Sequence, residues 1–303
     1  MTDIAADPLE PSGTALGPSS VAAVAVAARG TPAPWRLLAR KPTFIVGAAI
    51  LLFWIVCAIF GHAIAPYNPL AQQLLGTNAA PSAAHWFGTD PLGRDVLSRV
   101  ITGARDILVI SLLSVILATI LGTALGLAMG YIGGAFDLIS GRLVEAVLAL
   151  PSFIVALLFL AAVGPSTTTV TLLVGLVFTP LIARTVRAAV LAERQLDYLS
   201  AAQLLGENRA RIMFGEVLPN VLPAILVEFT VRLGYAVFTV ATLSFLGLGI
   251  QPPTPDWGAD IAANYVDLTA GYWWQVLFPA FAIASLVIAV ILVTDSIEQV
   301  LAS

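Results

Sequence analysis

From Ala146 to Ala183 the chain runs without one charged side chain. A helix crosses a hydrocarbon core of about 30 Å with about 20 residues, so this run is too long for a single crossing. Within it, Gly164-Pro165-Ser166-Thr167 supplies the residue types of a tight turn. The segment therefore reads as a helical hairpin, with spans near 143–163 and 168–190. Composition agrees: 59% of the 303 residues are hydrophobic and 11% are charged, where a water-soluble domain carries about 25% charged residues. So few charges cannot clothe a globule, and lipid has to be part of the solvent.

Four further apolar runs fit crossings, at about Phe44–Ala65, 108–130, Val221–Leu248 and Tyr272–Val293. The last opens on Tyr272-Trp273-Trp274, the aromatic girdle of a membrane surface. Ala63-Ile64-Ala65 resembles a signal-peptidase site. The stretch before it exceeds the roughly 7–15 residues of a signal-peptide core, so an uncleaved first span is expected. The fold expected is all-α: a polytopic membrane protein of six transmembrane helices. Residues 1–40, rich in Ala, Pro, Ser and Gly, are expected to form a disordered cytoplasmic tail. Residues 41–105 hold the first transmembrane helix and an extracytoplasmic loop. Residues 106–303 hold a five-helix core with a cytoplasmic loop over 191–219. With the N-terminus inside, ten basic residues lie at the cytoplasmic face: Arg29, Arg36, Arg40, Lys41, Arg142, Arg184, Arg187, Arg194, Arg209 and Arg211. Only Arg94, Arg99 and Arg105 lie outside, while Arg232 sits within a span. This bias places both termini in the cytoplasm.

Catalysis finds little support. Cys57 is the single cysteine, and His62 and His85 have no second type of metal ligand spaced near them. No intramembrane Ser/His or Asp/Asp pairing offers a nucleophile with its base, so the chain is not expected to be an enzyme. A stand-alone secondary transporter is the alternative, although such proteins often carry internal repeats and no strong duplication is visible.

The loop 191–219 reads as a short helix, a turn at Gly206, a second short helix and a proline stop at Pro219. Tyr198, Ala201, Ala202 and Leu205 share one face of the first helix. That face suits insertion into a partner's groove and equally suits a helix lying on lipid. Trp86–Arg105 reads as a turn at Asp90-Pro91-Leu92-Gly93, then a helix with acidic residues early and basic ones later. A capped surface helix accounts for most of it. Gly122, Gly126 and Gly130 form a small-residue stripe, read first as helix packing. The prolines inside apolar runs, Pro151, Pro180 and Pro279, can kink helices. Glu228 and Arg232 fall inside the fifth span, where a lone charge costs at least about 2.5–3.5 kcal/mol. Their i, i+4 spacing lets them pair, either buried between subunits or lining a translocation cavity.

Several strings carry a resemblance. Ala201-Ala202-x3-Gly206 and Leu218-Pro219 resemble the coupling motif of ABC importer permeases, with Ser200 where that motif has its leading Glu and Glu216 where it has an aliphatic residue. Phe87-Gly88-Thr89-Asp90, Gly93-Arg94-Asp95, Ser98-Arg99 and Gly103-Ala104-Arg105 are similar to the signature of dipeptide, oligopeptide and nickel permeases. Gly130-Tyr-Ile-Gly133-Gly134, Leu150-Pro151-Ser152, Leu243–Pro253 and Trp257-Gly258 match the same family in order. The resemblance spans about residues 40–295 and implies a type I importer permease fold in the cytoplasmic (inner) membrane. It implies the second, C-type permease of a heterodimer with a homologous permease, two ATP-binding subunits inside and a substrate-binding protein outside. It implies no nucleic-acid partner. Tyr198, Ala201, Ala202, Gly206, Leu218 and Pro219 would couple to the ATPases, while Gly88, Asp90, Gly93, Arg94 and Asp95 carry the extracytoplasmic signature. The sequence contains no G-x4-G-K-[ST] phosphate loop, and Lys41 is its one lysine. ATP and magnesium are thus expected on partner subunits, with no cofactor or metal on this chain. The cargo implied is a di- or oligopeptide or a similar small solute.

Overall fold

A computed structural model describes Leu38 and residues 41–301. The disordered tail expected over 1–40 falls, but for Leu38, outside them, as do Arg29, Arg36 and Arg40. Helix α1, Pro42–Ile64, opens on a proline, whose fixed φ suits a first helical turn. Its 23 residues rise about 35 Å, enough to cross the bilayer. Helix α2, Val96–Ile132, is longer than a crossing needs, at 37 residues. The helix expected after the Asp90–Gly93 turn and the crossing expected over 108–130 are one continuous element, capped where the Asp95 carboxylate accepts from the Ser98 amide, 2.8 Å away. The turns before 108 lie against the start of the 66–87 loop and carry Arg99, Arg105 and Asp106.

Helix α5, Thr167–Glu193, begins where the Ser166 hydroxyl accepts from the Thr169 amide. It packs along α2 through the glycine stripe. A methyl built on Gly122 would meet Ile182, one on Gly126 the Ala183 carbonyl, and one on Gly130 Val190. Gly175 of α5 sits in the same way against Ser114 and Leu117 of α2. Contacts that advance together along both helices mean that α2 and α5 run parallel. The chain must therefore return across the membrane between them.

That return is made by α3, Gly134–Ala149, and α4, Ser152–Val163, which meet at 84°. The straight span expected over 143–163 is broken at Leu150-Pro151. A proline disfavours helical geometry in the residue before it, and Leu150 is accordingly extended, with φ −78° and ψ 135°. Gly133 and Gly134, both at positive φ, turn the chain from α2 into α3. Asp137 of α3 accepts two hydrogen bonds from the Arg187 guanidinium and fastens the arm to α5.

The remaining helices are α6, Asp197–Leu204; α7, Arg209–Phe245; α8, Trp257–Asn264; and α9, Trp274–Leu301. α9 runs antiparallel to α1. Trp54 donates to the Ser285 hydroxyl at 3.0 Å, Thr43 meets Ser296 at 3.1 Å, and Lys41 donates to Gln299 at 2.9 Å. The last contact puts both ends of the described chain on one side. Five helices are long and apolar enough to cross a membrane, and the bent α3–α4 pair makes the sixth crossing. Exposed Leu52, Ile59, Ile120, Leu158 and Phe281 give the bundle an apolar exterior, as lipid requires.

Gly126→Ala would place a methyl 2.5 Å from the Ala183 carbonyl oxygen. Forcing the helices apart is expected to cost about 1–3 kcal/mol. Gly215 lies in helix with open space around it, so Gly215→Ala should gain up to about 1 kcal/mol. Thermal unfolding of both variants in one detergent checks the contrast.

Candidate functional site

At the end of the bundle that holds both chain ends, α5 gives way to the 191–219 segment. Gly206, at φ 75°, reverses the chain after α6, and the Glu207 amide donates back to the Ala202 carbonyl, a helix-closing pattern that needs the left-handed residue. The Asn208 side chain then accepts from the Ala210 amide and starts α7. Here the structure departs from the expected short helix and proline stop. Ile212–Val217 forms a wide helical turn and α7 continues through Leu218 and Pro219 without a break. Proline lacks an amide donor and its ring crowds the carbonyl four residues back. Widening the preceding turn accommodates both effects.

Tyr198 ties this segment together. Its phenol donates to Glu193 at the end of α5 and accepts from the Asn220 side chain near the base of α7, at 2.8 Å. Burial, and then the Glu193 carboxylate, push its pKa up, so it stays a donor at physiological pH. Leu199 is buried and holds α6 to the core, with Ile212 and Val217 beneath. Ala202 is half-buried, while Ala201 and Pro219 are exposed and Leu218 packs against the core. The other side of the segment shows bare apolar surface: Leu204 is 89% exposed and Leu205 83% exposed, with Phe214 nearby in sequence also exposed. Burying a leucine is worth about 1.5–3 kcal/mol. Sequence spacing grouped Tyr198, Ala201, Ala202 and Leu205 but missed Leu199 as the anchor, which follows only from the packing of α6 against α7.

At the opposite end, the signature residues are tied into a buried knot. Asp90 Oδ1 accepts from the Leu92 and Arg94 amides, both at 2.9 Å, while its other oxygen takes the Arg94 guanidinium. Gly88 and Gly93 adopt positive φ, and a side chain on Gly93 would collide with the Gln73 backbone. Asp95 caps α2 and accepts from His85 Nδ1 at 2.8 Å. The Thr89 carbonyl accepts from Trp274 and Gln275 at the start of α9, at 3.0 and 2.9 Å.

The signature strings include Arg99 but gave no sign of its partner. Arg99 forms a buried two-pronged pair with Asp260 of α8 and also reaches the Pro69 carbonyl. Beside it Trp257, fully buried, donates to the Val100 carbonyl at 2.8 Å and meets Trp54 edge-on. Arg99 and Asp260 are 161 positions apart, beyond any spacing argument. Asp256 caps α8 by accepting from the Ala259 amide at 2.7 Å. Burial raises its pKa to about 6, with the Asp260 charge adding to the rise.

Within α7, Arg232 Nε donates to Glu228 Oε1 at 2.6 Å, and the pair is mostly covered. Arg232 also lies 5.6 Å from the Tyr235 ring centroid. Two intramembrane charges are thus neutralised on one helix face, as their spacing anticipated.

Residues 122–303 match the family model described as "Binding-protein-dependent transport system inner membrane component". Residues 34–81 match "N-terminal TM domain of oligopeptide transport permease C". The dipeptide transport system permease protein of Escherichia coli (strain K12) is 40% identical over 274 residues, covering 88% of this chain and 91% of that one. The protein of the same name from Bacillus subtilis (strain 168) is 35% identical, covering 88% and 83%. A glutathione transport system permease protein from Escherichia coli O1:K1 / APEC is 36% identical, covering 88% of each chain.

Breaking a buried ion pair from one side leaves the other charge stranded. Arg99→Gln is therefore expected to lower stability by about 3–5 kcal/mol, read as a fall in unfolding temperature in detergent. Asp256 gives a pH signature. Its folded pKa of about 6 lies above the ordinary 3.8, so the folded state binds the proton more tightly than the unfolded one. Stability from this group is full below pH 4 and is lost as pH rises through 6, an effect on the order of 2 kcal/mol. Asp256→Asn removes that titration. Wild type should gain on the variant as pH falls from 7.5 to 4.5, in paired unfolding curves.

Proposed function

The chain belongs to the family of binding-protein-dependent transport system inner membrane components, and from that membership we propose that it forms one half of the translocation pathway for short peptides in an ATP-driven importer. It is a multi-pass inner-membrane permease component and not an enzyme. Work in such a component is alternating access, and the energy has to enter from subunits that bind ATP and magnesium. The observation that carries the reading is the α6 segment. It is anchored by Leu199 and Tyr198 and presents Leu204 and Leu205 outward. Such an apolar projection suits a groove on an ATPase subunit, with Gly206 setting the turn and Ala201 leaving room for close approach.

Two ATPase subunits, a second permease and an extracytoplasmic binding protein complete the proposed assembly. The basic residues gathered at the α6 end, among them Arg184, Arg187, Arg194, Arg209 and Arg211, support placing that end and both termini in the cytoplasm. The cargo class follows from the relatives, whose names include dipeptides and glutathione. The chemistry these cargoes share is that of a short peptide. The Glu228–Arg232 pair is assigned to the pathway or to the permease–permease interface, because charge inside a membrane is costly unless it serves a function. Transport at the wild-type rate by Glu228→Gln, Arg232→Gln and the double variant would remove this assignment.

The decisive experiment is mild detergent extraction of the tagged protein from its native membrane, with identification of what copurifies. A second permease and ATPase subunits are expected. Leu204→Asp with Leu205→Asp alters two exposed side chains, so insertion and folding should persist while ATPase recovery falls at least tenfold, about 1.4 kcal/mol of lost binding. A chain that purifies alone, or ATPase recovery unchanged in the double variant, would overturn the reading.

A further inference from the structure

Beneath the loop that spans residues 66–87, helices α1, α2 and α9 enclose a groove of about 1150 Å³. Phe53, Trp54 and Cys57 wall it on α1, Leu97 on α2, and Phe281 and Ala282 on α9. The loop closes its outer end, where Phe87 stacks on Phe278 with ring centroids 3.8 Å apart. Polar atoms around the groove are engaged elsewhere. The Trp54 indole N–H donates to Ser285, and the Tyr67 hydroxyl to the Ala84 carbonyl. Asp95, the one charged side chain in the lining, already accepts from His85 and Ser98. An apolar occupant is what such walls favour.

The groove lies at bilayer depth, because α1 and α9 are both membrane-crossing helices. Exposed Phe53, Leu277 and Phe281 carry its apolar lining out onto the lipid-facing surface, so groove and bilayer are continuous. A transmembrane helix is a rod about 10 Å wide. Such a rod cannot seat in a groove closed at one end while crossing the whole membrane. A hydrocarbon chain is thin and flexible and can bend in beneath the loop. A methylene fills roughly the volume of one water, about 30 Å³, so a complete acyl chain fits with space to spare. At the mouth stands Trp86, 69% exposed, whose indole N–H has no partner among the described residues. Tryptophan so placed is suited to the ester and headgroup level of a bilayer.

We propose that this groove is a binding site for a membrane phospholipid of the leaflet on the 66–87 side. Its acyl chain lies between α1 and α9, and its glycerol region meets Trp86. The lipid completes the outer part of a seam that the protein closes by itself toward the other end, where Trp54 donates to Ser285 and Gly47 of α1 is in direct contact with Ala289 and Leu292 of α9.

The test uses the protein with its copurifying subunits in nanodiscs of phosphatidylethanolamine and phosphatidylglycerol, doped with phosphatidylethanolamine carrying a diazirine on one acyl chain. After illumination, crosslinks are mapped by mass spectrometry. Phe53, Cys57 and Leu97 should be labelled severalfold more than Leu52 and Ile59 on the outer face of the same helix α1. Ala282→Trp, and the milder Leu97→Phe, fill the groove and should each lower labelling of Phe53 and Cys57 by more than half. Labelling of Leu52 and Ile59 should stay unchanged. If Ala282→Trp does not accumulate, Leu97→Phe carries the comparison. Even labelling over both faces of α1, or labelling indifferent to the variants, would each overturn the proposal.

Discussion

The architecture depends on the close parallel approach of α2 and α5. In lipid the hydrophobic effect gives helices no reason to associate, and backbone proximity has to supply the attraction. Gly122, Gly126 and Gly130 on one helix and Gly175 on the other remove the side chains that would hold the backbones apart. Because the two helices point the same way, the chain between them must recross the bilayer. The bent α3–α4 arm is the result, and its few buried residues, Val144, Ala156 and Leu160, leave most of it uncovered by the rest of the chain.

Charge is distributed to suit this frame. The membrane-spanning seams use glycine, alanine and serine, and apart from the Glu228–Arg232 pair within α7 the covered ionic contacts gather at the two ends. At the signature end, Arg99–Asp260 joins segments far apart in sequence and fixes α8 against the first turns of α2. A buried pair of this kind is weak evidence for stability as such. Its geometry, two-pronged and backed by Trp257 and the Pro69 carbonyl, specifies one docking of α8 onto α2. At the other end Asp137–Arg187 and the Tyr198 bridge do the same for α3 and α6.

Much of this was legible in the sequence because it is written in local patterns. Charge-free runs marked the crossings, Gly164-Pro165 marked the hairpin turn, and the i, i+4 spacing of Glu228 and Arg232 marked their pairing. The failures lie where a local signal has two outcomes. Pro151 and Pro219 both sit beside membrane-crossing helices. The first ends a helix because Leu150 cannot remain helical before it. The second is absorbed by a wide turn upstream. Nothing in composition separates these cases, which depend on what packs against the preceding turn. The helix after Asp90–Gly93 and the crossing near 108–130 were read as separate pieces because apolarity marks the bilayer and not the helix. Asp95 begins the helix in the polar layer. The pairing of Arg99 with Asp260 escaped because it is set by tertiary folding alone.

Helix α7 links these two ends in one continuous element of 37 residues, from the exposed α6 projection to the cap beneath α8. Gly258 of α8 rests on its last turns, at Ala241 and Ser244. A rod of that length extends about 55 Å, so pivoting by about 5° at its middle carries each tip about 2 Å in opposite directions. In mechanical terms it is a first-class lever: an inward push on one face of the membrane becomes an outward displacement on the other, with no signal relayed through the side chains between.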